Sequence, residues 1–204
     1  MSTSGVNANP AVAGEADGLD GLIARARAGD ADAFDALVRE YQGAVFRTAF
    51  VALGSREEAE EAAQDAFVSA FRRLHRFRGD SSFRTWLLAI AWRKALTRRR
   101  RLVPWRRRTV WRGANGADPL DDAVSPEPGP HARAAGREMR RQIRVLVRSL
   151  PSRLRDPLLL AASGEQPYEE IAAMLGIPIG TVKWRVSEAR RIVRGKLRRL
   201  GYDR

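Results

Sequence analysis

The sequence contains no cysteine, and its only histidines are His75 and His131. Disulfide bridges, thiolate metal sites and cysteine nucleophiles are therefore excluded. No glycine-rich phosphate loop and no cluster of nucleophile and base motifs stands beside the two histidines. The composition accordingly predicts a protein that is not an enzyme, with no catalytic residue, metal site or cofactor. The absence of cysteine also fits a reducing cytoplasm.

Long apolar runs are missing as well. No stretch approaches the ~20 apolar residues that a membrane-spanning helix needs. The first residues, MSTSGVNANPAVAGEADG, lack the basic start and apolar segment of a secretory signal, so we expect a cytoplasmic chain without membrane insertion. Runs of alternating β-branched residues are absent too, which predicts an all-α fold.

Positive charge is in large excess. The chain has 37 Lys and Arg against 24 Asp and Glu, a formal net charge of +13. Such an excess favours a polyanionic partner, because each cation placed on a phosphate releases condensed counterions. The alternative is a well-solvated surface in an arginine-rich protein. The clustering of the cations favours binding.

Composition divides the chain into four segments. Residues 1–18 are small and polar and predict a disordered tail, whereas residues 19–101 carry helical periodicity. Five prolines and three glycines between residues 102 and 135 predict a flexible linker that lets the flanking domains move independently. Helical periodicity returns in residues 136–204. The sequence therefore predicts two small helical domains.

Within the first domain, three amphipathic helices are expected. Ser55 and Glu58 form a capping-box pattern for the second helix, whose predicted buried stripe runs from Ala59 to Phe71 and Leu74. The third helix is expected to begin near Ser82 and to end in a cationic extension. Its cations, which Trp105 and Trp111 interrupt, favour binding to phosphates and unpaired bases: Arg93, Lys94, Arg98, Arg99, Arg100, Arg101, Arg106, Arg107, Arg108 and Arg112.

The second domain carries a helix-turn-helix pattern. Pro167 precedes a short helix that ends at Gly176, and a turn leads to another helix from about Ile179. The second helix buries one face, predicted as Val182, Val186, Ala189, Val193, Leu197 and Leu200. Trp184 lies on the opposite face, where it either contacts a thymine methyl group or packs on protein.

Read in order, these segments resemble the extracytoplasmic-function (ECF) sigma factors of the sigma-70 family. The stretches FRGDSSFRTWL and EIAAMLGIPIGTVKWR carry most of the resemblance, which extends from about Leu22 to Leu200. It implies a region 2 domain over 19–101 and a region 4 domain over 136–204. The implied partners are core RNA polymerase, through the clamp helices of its largest subunit and its flap region, promoter DNA, and an anti-sigma factor.

The resemblance also implies residue roles. Polymerase binding falls on Glu61, Gln64, Asp65 and Phe67. Capture and melting of the −10 element fall on Phe77, Arg78, Gly79, Asp80, Ser81, Ser82, Trp86, Arg93, Lys94 and Arg98. Reading of the −35 element falls on Thr181, Lys183, Trp184, Arg185, Ser187, Glu188 and Arg191.

Two other functions are compatible with parts of the sequence. A polymerase-independent helix-turn-helix regulator would use the second domain but leave the acidic helix and the FRGDSS segment without a role. A sigma-mimicking regulator that only sequesters an anti-sigma factor would not need the cationic helix end. The sequence favours a sigma factor that selects promoters and helps to melt them.

Overall fold

The computed structural model describes residues 18–106 and 130–202, and over these ranges the chain is helical, with no strand. The all-α prediction is therefore confirmed. The helices are, in order, α1 (Leu19–Arg27), α2 (Ala31–Leu53), α3 (Arg56–Arg73), a 3₁₀ turn (Leu74–Arg76), α4 (Phe83–Arg106), α5 (Pro130–Ser149), α6 (Ser152–Ala162), α7 (Tyr168–Leu175) and α8 (Ile179–Arg199). None of these helices is long and apolar enough to cross a bilayer.

Local signals fix the ends of α2 and α3. The side chain of Asp30 accepts a hydrogen bond from the amide of Ala33 at 3.1 Å and caps α2. Gly54 ends α2 with φ +64°, a left-handed conformation that glycine adopts without a steric penalty. Half of the expected capping box of α3 is present, because the Ser55 hydroxyl accepts from the amide of Glu58 at 3.5 Å, whereas the Glu58 carboxylate bonds Arg98.

The inner face of α3 consists largely of alanine. Ala59, Ala62, Ala66 and Ala70 are all at most 1% exposed, and these small side chains allow α2 and α4 to pack closely against the helix. The expected burial of Phe71 is wrong, since 50% of this residue is exposed. It lies at the edge of the stripe, where only one side of the ring meets Phe34.

Helices α6 to α8 form the helix-turn-helix domain. Gly176 ends α7 in the left-handed conformation at φ +65°, and Pro178 precedes α8. The predicted inner face of α8 is buried from Val182 to Leu197. Leu200 is 55% exposed and does not belong to it, because α8 ends at Arg199.

Prolines interrupt the helices less than expected. Helix α4 continues past residue 102 to Arg106, and α5 begins at Pro130. The first position of a helix suits proline, because its missing amide N–H would have no partner within the helix. Pro157 lies inside α6, which begins at Ser152. Residues 107–129, with Arg107, Arg108, Trp111 and Arg112, lie outside the described residues, as does most of the expected tail.

The two halves of the chain pack against each other. Helix α2 contacts α6, and α4 contacts α7, so that the buried side chains of both halves form one continuous core. The two domains are therefore in contact in this structure. The packing brings the start of α4 next to the helix-turn-helix.

Candidate nucleic-acid and polymerase interface

The segment from Phe77 to Ser82 is anchored on a cluster of aromatic side chains. The ring centroid of Phe77 lies 5.7 Å from that of Phe83 and 5.3 Å from that of Trp86. Phe83 is 3% exposed, while Phe77 and Trp86 are half-buried. Of the residues predicted for −10 binding, these two therefore anchor the segment and offer only part of their rings to a base.

The polar part of the segment faces solvent. Arg78, Gly79, Asp80 and Ser82 are exposed, and Ser81 is half-buried. Gly79 has φ +80°, so a side chain here would be strained. The Ser82 hydroxyl accepts from the Thr85 amide at 3.1 Å, which ties the segment to the first turn of α4. The turn thus presents short polar groups on a rigid helix start.

An open cleft beside this segment is cationic. It is lined by Arg27, His75, Arg76, Phe77 and Arg78. Arg27 comes from α1, which the sequence analysis did not connect with DNA. The single feature of the sequence that could have pointed to Arg27 is that it is a basic residue in the last turn of a short helix.

The cations of α4 fall into two groups. Arg93, Arg100 and Arg101 are exposed, Lys94 is half-buried, and no ion pair joins them to another described residue. Trp86, Arg93 and Arg100 follow one another at seven-residue intervals, so they share one face of α4. This face can present positive charge along a line that leads away from the aromatic cluster at Phe77, Phe83 and Trp86.

Arg98 and Arg99 are paired with acids instead. Arg98 donates to the carboxylates of Glu58 and Glu61 on α3. Burial acts to lower the pKa of Arg98, but the hydrogen bonds and charges of these two carboxylates raise it overall. Arg99 donates to Asp156 at 3.0 Å, and burial lowers the pKa of its guanidinium.

A cleft between α3 and α4 joins residues predicted for polymerase binding to residues predicted for DNA binding. Asp65, predicted for polymerase binding, lines it together with four cationic or polar residues and one leucine: Lys94, Thr97, Arg98, Arg101 and Leu102. The predicted polymerase-binding and DNA-binding surfaces are therefore neighbours in the fold.

The outer face of α3 is acidic and partly apolar. Glu61, Gln64 and Asp65 are exposed, and Phe67 is half-buried. Val68 and Phe71 were missed, although they are 51% and 50% exposed and continue the same face toward the end of the helix. Val68 and Phe71 lie one turn apart and both expose apolar area, and contiguous exposed apolar patches mark protein-binding surfaces.

The predicted −35 residues lie along the start and middle of α8. Lys183, Trp184, Ser187 and Arg191 are exposed. Thr181, Arg185 and Glu188 are half-buried. Trp184 is 61% exposed, so the expectation of an outward tryptophan is confirmed. What it contacts stays a prediction.

Glu188 is already bonded within its own helix. Arg191 donates to it twice, with Nε–Oε2 and Nη2–Oε1 distances of 2.7 Å. These bonds lower the pKa of the Glu188 carboxyl. Both carboxylate oxygens of Glu188 are therefore bonded to a cation in the unbound protein. The outer edge of the Arg191 guanidinium is the group of this pair that faces outward.

Two family descriptions match the chain. Sigma-70 region 2 matches residues 37–104, and Sigma-70, region 4 matches residues 140–193. Together they cover most of the described helices, in the order expected from the sequence.

Relatives match over nearly the whole length. The chain is 36% identical over 178 residues to the RNA polymerase sigma-H factor of Pseudomonas aeruginosa, covering 84% of this chain and 90% of the relative. It is 30% identical over 179 residues to the ECF RNA polymerase sigma factor SigW of Bacillus subtilis, covering 87% and 96%. To the ECF RNA polymerase sigma-E factor of Escherichia coli it is 32% identical over 185 residues, covering 88% and 94%.

Solved structures share the fold. The sigma factor RpoE of Bartonella quintana, solved with the anti-sigma factor NepR, gives a TM-score of 0.56 at 21% identity and covers 84% of this chain and 98% of its own. CnrH, solved with the cytosolic domain of CnrY, gives 0.58 at 24% identity and covers 86% and 94%. With both sigma-70 regions matched and relatives above 30% identity, the chain belongs to the sigma-70 family of RNA polymerase sigma factors, in its extracytoplasmic-function branch.

Proposed function

We propose that this sigma factor, which directs RNA polymerase to promoter DNA, divides its task among three surfaces. One surface holds the polymerase, one captures the −10 element and one reads the −35 element. The domain limits 19–101 and 136–204 are part of this proposal, and the two matched regions support it by lying largely within those limits. The chain is proposed to act in the cytoplasm, without chemistry or a cofactor of its own.

The −10 surface combines the exposed segment after Phe77 with one face of α4. Arg93 and Arg100 continue the line that starts at the half-buried Trp86, so a separated strand can follow cations after one base has been captured at the segment. Unstacking a base costs a few kcal/mol, which a pocket and the cationic contacts offset. This line of exposed cations beside a rigid, polar turn is the observation that carries the proposal.

Polymerase binding is assigned to the outer face of α3. Glu61, Gln64 and Asp65 supply negative and polar groups, and Val68 and Phe71 extend the predicted set with exposed apolar area. Apolar anchors surrounded by polar groups are typical of stable protein interfaces. The largest-subunit clamp helices are the proposed partner of this face, and the flap region is the proposed partner of the second domain.

The −35 surface is the exposed face of α8. Trp184 and Lys183 project at its start, one turn before the Glu188–Arg191 pair. A helix-turn-helix places its second helix in the major groove with the N-terminal residues at the base edges. Thr181, Arg185 and Ser187 are proposed as further contacts.

An anti-sigma factor is the proposed regulator. The sigma factor RpoE was solved with the anti-sigma factor NepR. Its structural similarity to this chain supports a similar protein partner here, without identifying it.

Run-off transcription tests the proposal. Core polymerase is mixed with the purified chain and a promoter library, and transcripts that depend on the chain are sequenced. We expect start sites preceded by shared −10 and −35 motifs. Strong promoter-specific binding by the chain alone, with no effect of polymerase, would instead support a polymerase-independent regulator.

A further inference from the structure

Four side chains of α8 share the spacing of a base-reading face. Trp184, Ser187, Glu188 and Arg191 follow one another at positions i, i+3, i+4 and i+7, so they lie on one face of the helix. The recognition helix of a homeodomain presents its four base-contacting side chains at the same spacing. Arg191, at the far end of this line, therefore still lies on the side of α8 that meets base edges.

Glu188 and Arg191 form a side-on ion pair on this face. Arg191 donates from Nε to Oε2 and from Nη2 to Oε1, both at 2.7 Å. Most exposed ion pairs contribute little, but a two-bond pairing of arginine with a carboxylate is the exception, because it fixes the direction of both groups. These hydrogen bonds and the opposite charges raise the pKa of Arg191 and lower that of Glu188, so both groups are held in their charged forms.

The pair leaves the outer edge of the guanidinium free to donate. An arginine has five N–H donors, and the carboxylate takes the Nε hydrogen and one Nη2 hydrogen. The second Nη2 hydrogen and one Nη1 hydrogen are parallel and point away from Glu188. The Arg191 side chain is 72% exposed, against 24% for Glu188, so this edge is the outermost polar group of the pair.

Guanine is the base that this edge fits. In the major groove guanine presents two neighbouring acceptors, O6 and N7, whereas adenine presents one acceptor beside a donor and cytosine presents a donor. Thymine offers a single oxygen beside its methyl group. Two parallel donors are therefore satisfied together only by guanine.

Glu188 is poorly placed to add affinity for DNA by itself. A carboxylate on a DNA-facing helix repels phosphates, and both of its oxygens already accept from Arg191. The pair instead restricts the Arg191 side chain before DNA binds, which reduces the conformational entropy that is lost when a base contact forms. Glu188 therefore contributes direction, and hence specificity, at a cost in overall attraction to DNA.

We propose that Arg191 reads a guanine of the −35 element through the O6 and N7 atoms of the base, and that Glu188 is its positioning residue and not a base contact. This inference rests on the proposed function and assigns separate roles to two residues that the sequence predicted only as members of the −35 surface.

Polymerase recruitment to modified promoters tests the guanine contact. Core polymerase with the full chain is bound to a promoter found by run-off transcription, in which each guanine of the −35 element is replaced in turn. The base 7-deazaguanine lacks the N7 acceptor, whereas hypoxanthine lacks only the amino group in the minor groove. We expect one guanine at which 7-deazaguanine weakens recruitment by about threefold or more while hypoxanthine has little effect. The factor lost on 7-deazaguanine at this position is called the N7 ratio.

Arg191→Ala should weaken recruitment to the unmodified promoter by about tenfold and bring the N7 ratio to about one. Arg190→Ala is the matched control, since it removes the same charge from an exposed neighbour on α8. This control should weaken binding to all the promoters by a similar factor and leave the N7 ratio unchanged, because a phosphate contact carries no base information.

The positioning role has its own readout. Glu188→Ala removes an acid, so binding to unrelated duplexes should strengthen, while the N7 ratio should fall toward one. Glu188→Gln keeps an acceptor for Arg191 and should retain part of the ratio. Glu138→Ala is the matched control, because it breaks the Glu138–Arg141 pair of the same spacing on α5 and should leave the N7 ratio unchanged.

The outcomes separate this inference from the proposed function. If start sites depend on the chain but no −35 guanine responds to 7-deazaguanine, the guanine contact is overturned and the function stands. If Arg191→Ala abolishes the N7 ratio and Glu188→Ala leaves it unchanged, the positioning role of Glu188 is overturned. If no start site depends on the chain, the proposed function fails; duplexes selected from a random library by the full chain alone then give the N7 ratio, and a ratio that disappears in Arg191→Ala would still support the guanine contact.

Discussion

Arg98, near the end of α4, is bonded to Glu58 in the first turn of α3, and the same guanidinium also contacts Glu61. From the sequence, Arg98 is predicted to bind DNA and Glu61 to bind polymerase. In the structure the pair joins the two helices, and the Arg98 side chain is 27% exposed. Its first role is therefore to hold α3 against α4.

Substitution of Arg98 should lower stability. Arg98→Ala removes both bridges and leaves the half-buried Glu58 without its cation, so we expect the free energy of unfolding to fall by about 1 kcal/mol or somewhat more. Arg100→Ala is the matched control, because Arg100 is exposed and belongs to the same cationic run. Its effect should stay within about 0.5 kcal/mol. Urea denaturation followed by circular dichroism measures both, and equal effects would contradict the structural role of Arg98.

Arg100 and Arg101 should show the opposite behaviour. Their replacement by alanine leaves the fold intact but removes two exposed cations from the proposed strand path. The salt dependence of promoter-complex formation with polymerase should weaken by about one unit of slope for each residue. Complexes are counted by filter binding over a series of salt concentrations. An unchanged slope in the double variant would place the DNA elsewhere.

Much of the fold was predictable because it depends on local periodicity and end signals. Gly54, Ser55 and Gly176 mark helix ends through their own backbone preferences, and the inner face of α8 follows from the spacing of its apolar residues. The exposed Trp184 could be recognised for the same reason, since it breaks the pattern of an otherwise amphipathic helix.

Contacts between distant segments were not predictable from these signals. The bridges of Arg98 to α3 and of Arg99 to Asp156 depend on how helices are placed in space, and a run of arginines looks the same in sequence whether its members are paired or exposed. The exposure of Phe71 could not be predicted from the sequence for a related reason. Helical periodicity predicts which residues share a face, but the width of the buried stripe depends on the neighbouring helices.

Val68 tests the polymerase surface. Val68→Asp places a charge on an exposed apolar position, so the fold should persist while core polymerase binding weakens by tenfold or more. Gln42→Asp adds the same charge to an exposed position of α2 in the same bundle and serves as the control. Fluorescence anisotropy of the labelled chain with core polymerase measures the affinity. Equal weakening by both substitutions would show that added negative charge, and not this face, is responsible.

Asp30 makes stability dependent on pH in the acid range. Its pKa lies below the ordinary value because the Ala33 amide and the Arg25 guanidinium donate to its charged form. A pKa that is lower in the folded than in the unfolded chain stabilises the fold above the unfolded value of about 3.9, and this contribution disappears as the pH falls through the folded value. Asp30→Asn keeps a cap but loses the charge. We therefore expect a lower Tm for this variant at pH 7, and the difference should close below about pH 4; a gap that persists in acid would contradict the charge-based account.

Substitution of Trp184 tests whether the −35 surface contacts a thymine methyl group. If its indole contacts a thymine, replacing the thymines of the −35 element by deoxyuridines should weaken polymerase recruitment about fourfold for each contacted methyl, since burial of one such group contributes about 0.8 kcal/mol. Trp184→Ala should lose the same factor on the thymine duplex and become indifferent to deoxyuridine. Because the side chain is 61% exposed, its removal should leave the Tm nearly unchanged. Equal sensitivity of both proteins to deoxyuridine would show that Trp184 does not contact the methyl group, because recognition then depends on that group without the indole.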